Sequence, residues 1–308
     1  MNEKEQKPEK DFFKITAEQK RQFDEEGYLI MREAIDSETV SALIEAGDRL
    51  IASDHELNRQ RRPGGLYDGF RNCVSMDAAF LPLITNPKVF SIVAQLLSPY
   101  LSLLTSHLIY RAPDPPGSSG DERIPGWHRD HYMSMRDLGD QHIPRHSLKV
   151  AYYLTDLSQP NSGVTMMAAR SNQLKTPIEI PEGQVDPASK VEPMLKPGDA
   201  VFFENRTWHA GAANLTERTR KAVMIGYSYD WVIPTDYRQQ APALVEKLSP
   251  MERYLVGEPV DDNPNFDFTG GPNPIDDWCV ENGYHYRPKQ GKGHVIAAGE
   301  PSKPDARM

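Results

Sequence analysis

The chain has 308 residues, 38% hydrophobic and 26% charged, with a formal net charge of -9; it is long enough to bury a sizeable core in one large domain or two small ones. That acidity argues against a nucleic-acid surface, which needs clustered Lys and Arg, but leaves room for a local basic pocket. No run approaches the ~20 apolar residues of a membrane span, the polar start is unlike a secretory signal, and Cys73 and Cys279 make no disulfide framework, so a cytoplasmic protein without a membrane partner is expected.

Residues 1 to about 14 are rich in Lys, Glu and Gln without an apolar period, which predicts a disordered or loosely held tail. The remainder, 15–308, reads as one domain with a helical part (15–100), a strand-rich core (about 100–230) and a C-terminal part (231–308) with one helix and much Pro and Gly. Thr16-Ala17-Glu18-Gln19 has the form of a capping box, and the helix it opens should stop at Gly27. A short strand over 28–31 follows. Asp36-Ser37 can cap a second helix, on which Val40, Leu43, Ile44, Leu50 and Ile51 share a face. Asn86-Pro87 opens a third, because proline at the first helical position loses no bond, and Val89, Ile92, Val93 and Leu96 form its apolar stripe. Strands are then predicted at 101–110, 148–154, 164–167, 200–203 and 221–229, with a loop over 113–126. One further helix, 241–255, is interrupted by Pro250. Helices followed by many short strands suggest a mainly β fold with flanking α-helices, of which a double-sheet jelly roll is one form.

The 113–126 loop delivers the chain to Trp127-His128-Arg129-Asp130. On an extended segment His128 and Asp130 point to one face. His209, just past the 200–203 strand, could add a second imidazole. Two imidazoles and one carboxylate on one side of an ion suit non-haem Fe(II), with positions left open for substrates; a structural zinc would more often be closed by four ligands including cysteine. Farther on, Arg220, Ala222, Met224 and Gly226 share a strand face. An arginine among small and apolar residues is costly to bury unpaired, and has a reason to be there if it clamps a carboxylate. A salt bridge with one of the 44 acidic residues, or Arg218 as the clamp, are the alternatives. Arg129, His131, Arg136, His142, Arg145, His146 and Lys149 make the segment after the metal pair locally basic, either to attract an acidic substrate or as a solvated loop balanced by Asp137 and Asp140.

These residues resemble the phytanoyl-CoA dioxygenase family of Fe(II)- and 2-oxoglutarate-dependent oxygenases over about 16–229. The resemblance lies in Phe23-Asp24-Glu25-Glu26-Gly27-Tyr28-Leu29-Ile30, in Trp127-His128-Arg129-Asp130, in Lys149 to Asp156 with Asn161-Ser162-Gly163, and most specifically in Pro197-Gly198-Asp199-Ala200-Val201-Phe202-Phe203 through His209, Asn214 and Arg220-Lys221-Ala222. The chain departs from the family at Ala168-Ala169-Arg170-Ser171-Asn172, where Pro-Gly-Ser-His is usual, so that turn should be built differently. The resemblance implies a double-stranded β-helix (jelly roll, cupin-like) holding Fe(II) with His128, Asp130 and His209. It further implies that Arg220 pairs with the far carboxylate of 2-oxoglutarate, and that His107, Tyr152 and, by a looser match, Arg71 line the cosubstrate. The implied activity is hydroxylation of a small molecule using O2, with release of succinate and CO2; Asp130 favours this over halogenation, in which chloride takes the carboxylate's place. Competing readings are a non-catalytic jelly-roll ligand-binding module and a cupin-like metal dioxygenase that does not use 2-oxoglutarate.

Overall fold

A computed structural model describes residues 12–260 and 271–286. The expected loose tail over 1–11, and the C-terminal stretches 261–270 and 287–308, lie outside the described residues. Phe12 to Lys14, counted with that tail, are held. The Phe12 ring lies 4.8 Å from Trp278, the Phe13 N–H donates to Ser91 Oγ, and Gln95 Nε2 donates to the Phe13 carbonyl. Phe12 finds aromatic partners, and the Phe13 backbone polar ones, that the average composition of the segment hides.

Helix α1 (Ala17–Glu26) opens with the capping box read from the sequence: Thr16 Oγ1 accepts from the Gln19 N–H and Gln19 Oε1 from the Thr16 N–H. It ends at Gly27, whose φ of 83° is left-handed and so favours glycine. Strand β1 (Tyr28–Met31) follows, then α2 (Ser37–Ala52), capped by Asp36 and burying Val40, Leu43 and Leu50. After β2 (Arg59–Arg61) and β3 (Tyr67–Arg71), α3 (Pro87–Leu96) starts at the Asn86 cap with Pro87 in its first turn. Strand β4 (Leu101–Arg111), α4 (Tyr132–Leu138), β5 (Ser147–Tyr153), β6 (Thr165–Ala168) and β7 (Lys190–Val191) come next. The strand set closes with β8 (Ala200–Glu204), β9 (His209–Gly211) and β10 (Arg220–Tyr229). The expected 241–255 helix is two short ones, α5 (Pro242–Val245) and α6 (Pro250–Leu255), since Pro250 begins a new helix capped by Ser249. An unanticipated α7 (Pro274–Glu281) starts at the Asn273 cap and buries Ile275 and Cys279. No described helix is long and apolar enough to cross a membrane.

The strands form a jelly roll of two antiparallel sheets. The larger runs β1-β8-β5-β10-β4-β3-β2 and the smaller β7-β6-β9. Because side chains alternate across a strand, the larger sheet has two different faces. Leu108, Val150, Tyr152, Phe202, Val223 and Ile225 pack with Leu43, Val89, Ile92 and Val93 of α2 and α3 in one core cluster. The opposite face carries Ala151, Tyr153, Val201, Phe203 and Ala222, which meet Met166 and Ala210 of the smaller sheet, and Val164 just before it, in a second cluster. Arg71, His107, Lys149 and Arg220 stand on this inner face.

Candidate active site

His209 opens β9, and His128 is its backbone partner: each N–H donates to the other's carbonyl, at 3.0 and 2.9 Å. Their ring centroids are consequently 4.3 Å apart. Asp130 turns back toward the same point, with Oδ1 3.9 Å from His209 Nε2, and one ligand atom from each of the three lies within 4.8 Å of the others. Both imidazoles are oriented by carbonyls two residues upstream: His128 Nδ1 lies 2.8 Å from the Gly126 oxygen and His209 Nδ1 2.9 Å from the Thr207 oxygen. A carbonyl can only accept, so each Nδ1 carries the proton and each Nε2 keeps its lone pair for a metal.

The sequence builds this geometry from several directions. A Cβ at Gly27 would stand 2.3 Å from Thr207 Oγ1; its absence lets that hydroxyl donate to the Gly27 carbonyl at 2.7 Å, which fixes the residue whose carbonyl orients His209. Ser171 Oγ accepts from the Trp208 N–H at 2.8 Å, while Asn172 Nδ2 donates to the Asp24 carbonyl and to Glu204. The turn that departs from the family pattern thus ties the His209 segment to α1 and β8. On the other side, Trp127 Nε1 donates to Asp186 at 3.0 Å, and Asp186 also pairs with Arg123 and Lys190.

Electrostatics keep the set ready for a cation. Burial works against the charged form of Asp130, but Lys149, whose Nζ is 2.6 Å from Oδ1, overrides it together with the histidines and holds the carboxyl well below its usual range. Burial pushes His209 down to about 3, and burial with nearby Arg71 lowers His107 well below the ordinary value. A histidine whose folded pKa is depressed binds fewer protons folded than unfolded, so its contribution is present above the unfolded value near 6.5 and is lost as pH falls. Without metal, the urea midpoint is therefore expected to decline from about pH 6.5 downward, above the range where the aspartates titrate. Substituting His107 by Asn should flatten that limb; a midpoint constant down to the aspartate range would contradict the burial of neutral imidazoles.

Arg220 stands on the inner face of β10, 6% exposed, with Nε donating to the Gly163 carbonyl at 2.9 Å. Its Nη1 is buried and has no hydrogen-bond partner among the described residues. Tyr153 and Tyr67 lie close enough to influence its charge, as does Arg111. Arg218, the alternative clamp, is 66% exposed and sits 3.6 Å from Asp156. His107 lies on the same inner face and its Nε2 is 2.7 Å from Tyr67 Oη, in a neighbourhood shared with Arg71, Lys149 and Arg220. Arg71 is opposite His107 in the β3–β4 register, and lines a cleft of ≈ 510 Å³ that also reaches Asp130 and Lys149.

Tyr152 is not brought to this site. It is fully buried on the outer face, donating to the Leu83 carbonyl at 3.3 Å, because strand alternation sends it opposite to its neighbour. Tyr153 is the inner-face tyrosine of that pair, its hydroxyl accepting from the Thr165 N–H. Tyr152→Phe should leave 2-oxoglutarate binding unchanged and cost about 1 kcal/mol of stability, the worth of one modest hydrogen bond. Weakened cosubstrate binding in that variant would return Tyr152 to the site. Sequence reasoning also missed Tyr67 and the role of Lys149. A charged residue in an otherwise apolar strand was an available signal for Lys149; nothing in the Tyr67 hairpin pattern marked it.

The residues fit the implied group. Two imidazole nitrogens and a carboxylate offer an incomplete set of the kind Fe(II) takes, and Arg220 offers unused donors to a carboxylate. A model of the phytanoyl-CoA dioxygenase family matches residues 23–222. The chain belongs to that family. Its cofactor set is Fe(II), 2-oxoglutarate and O2. Similar solved structures include the non-haem α-ketoglutarate-dependent epimerase SnoN from nogalamycin biosynthesis, at TM-score 0.55 and 18% identity, covering 68% of this chain and 79% of that one. EctD from S. alaskensis aligns with TM-score 0.57 at 18% identity over 74% of this chain and 79% of its own. The carbocyclase SnoK, also from nogalamycin biosynthesis, gives 0.52 at 17% over 70% and 84%. At such identities the likeness establishes the double-stranded β-helix fold. No curated protein matches the chain.

Proposed function

We propose that the protein is an Fe(II)- and 2-oxoglutarate-dependent dioxygenase that hydroxylates a small molecule. The observation that carries this reading is the convergence of His128, Asp130 and His209 on one point of the inner face that also buries Arg220 with an unused Nη1. His128, Asp130 and His209 would hold the iron, and Arg220 the far carboxylate of 2-oxoglutarate. When bound, iron and cosubstrate supply the oxidising chemistry: O2 and 2-oxoglutarate become succinate and CO2, and one oxygen atom enters a substrate C–H bond.

The protein's own part is binding, orientation and exclusion of water. The Gly126 and Thr207 carbonyls hold the imidazoles in their ligating tautomer. Lys149 keeps Asp130 ionised and restrains its rotation. Phe203, with its ring 4.7 Å from His209, gives that side of the site an apolar wall. The Tyr67–His107 pair stands between the Lys149 and Arg220 neighbourhoods and lines the space available to the cosubstrate. We read residues 15–308 as one catalytic unit, supported by a core cluster that includes Phe23 near one end and Cys279 near the other.

Adding 2-oxoglutarate anaerobically to the Fe(II) protein should produce a weak visible absorption band, and succinate should be released on exposure to O2 with a substrate pool. A protein that takes up iron but neither develops the band nor yields succinate is not such an oxygenase. A metal dioxygenase independent of 2-oxoglutarate would turn over without it, and would leave the buried Arg220 without a purpose.

A further inference from the structure

The cleft beside Asp130 has a composition that bears on what the enzyme takes. Its charged lining is Arg59, Arg71, Asp130, Lys149 and Asp236. Arg59 is already committed, with Nε and Nη2 donating to the two oxygens of Asp68 at 2.9 and 2.7 Å. Asp236 is committed too: it accepts from the Asn72 and Ser106 N–H groups and from the Thr105 and Thr235 hydroxyls. Its job is to fasten the segment after β10 to β3 and β4. It also stands 3.7 Å from Arg71 Nη1 and so restrains that guanidinium.

Arg71 is different. Its Nε donates to Gln60 and its Nη1 to Thr105, both at 3.2 Å, while its Nη2 has no partner among the described residues, and the side chain is 33% exposed at the cleft. Lys149 spends one of three donors on Asp130 Oδ1. Thr105, Gly226 and Lys149 are register partners across β4, β10 and β5, and a Cβ at Gly226 would stand 2.5 Å from Thr105 Cγ2 and 3.5 Å from Lys149 Cγ. Thr105 Cγ2 and Lys149 Cγ already occupy the place a side chain at position 226 would take, so the glycine lets these strands close up with the restrained guanidinium and the ammonium lining one cleft next to a metal ligand.

We infer that this cleft is the substrate site and that it reads a negatively charged group, a carboxylate or a phosphate, held between Arg71 and Lys149. The inference rests on the oxygenase reading above, and it gives Arg71 to the substrate and not to 2-oxoglutarate. A planar guanidinium with free N–H groups suits two-point capture of either anion. The head group would be anchored beside Asp130, so the C–H bonds nearest to it would face the metal.

The test uses the full chain loaded with Zn(II), which accepts the same ligands without redox chemistry, and with excess 2-oxoglutarate to keep Arg220 occupied. Phenylacetate, phenyl phosphate and the neutral phenylacetamide serve as probes, observed by saturation-transfer NMR at millimolar concentration. One or both anions should bind and the amide should not; which anion binds separates the two sources of charge. Arg71→Gln should weaken anion binding about 10-fold or more, as loss of a charge-assisted bond predicts, with Arg71→Lys intermediate. Both variants should develop the same 2-oxoglutarate band with Fe(II) as the parent, which also reports that they are folded. Equal binding of the amide, no binding of either anion, or anion binding that survives Arg71→Gln overturns the inference. Loss of the band in Arg71→Gln does so as well, by assigning Arg71 to the cosubstrate. Absence of the band in the parent protein would instead defeat the oxygenase reading, and the anion arms would still report on the cleft.

Discussion

Changing His209 to alanine should abolish 2-oxoglutarate-dependent succinate release and the absorption band expected of the Fe(II) protein. His209 is the most buried of the three candidate ligand side chains, and without it only the exposed His128 and the half-buried Asp130 remain. Loss of groups that merely orient a ligand costs 10- to 100-fold in metal affinity, so loss of the ligand itself should cost more than about 100-fold. The backbone should survive, because the pairing of His209 with His128 and with Met167 runs through main-chain atoms that alanine retains. A far-UV spectrum like that of the parent, together with failed iron uptake, is therefore the expected pair of results. Iron affinity within tenfold of the parent would remove His209 from the metal site.

Changing Arg220 to methionine should separate binding from stability. A buried cation that meets the far carboxylate of 2-oxoglutarate supplies charge-assisted bonds whose removal costs about 2–5 kcal/mol, roughly 30-fold or more in the dissociation constant. Without cosubstrate the same arginine is a burden. It is desolvated, its Nη1 has no partner among the described residues, and burial lowers its pKa. Replacing such a charge by an apolar side chain of similar length is often neutral or stabilising. The ligand-free melting temperature of Arg220→Met should thus hold or rise, while the stabilisation conferred by added 2-oxoglutarate disappears. A large fall in the ligand-free melting temperature would mean that Arg220 serves the fold instead.

Local signals carried much of this molecule. The boundaries of α1, β1, α2 and α3 follow from caps, a left-handed glycine and an N-terminal proline, each acting within a few residues. Strand positions in the β core were legible for the same reason, since alternation and flanking turns are local. The short β2, β7 and β9 were not, because strands of two or three residues form only when a neighbour supplies the other half of their bonds. Tyr152 and Tyr153 mark the limit most plainly: both are buried aromatics on a strand, and a one-residue difference in face decides which of them meets the site.

The sequence by itself determined the chemistry at hand: two imidazoles, one carboxylate and a strand arginine whose burial had to be explained. Tertiary structure alone decided that they meet. The pairing of His128 with His209 closes the candidate metal set, the pairing of β3 with β4 sets Tyr67 beside His107, and Asp130 meets Lys149 of β5. It also decided that Arg71 opens into a cleft beside Asp130. These contacts join residues far apart in the chain, and register between strands sets them, which no local pattern encodes.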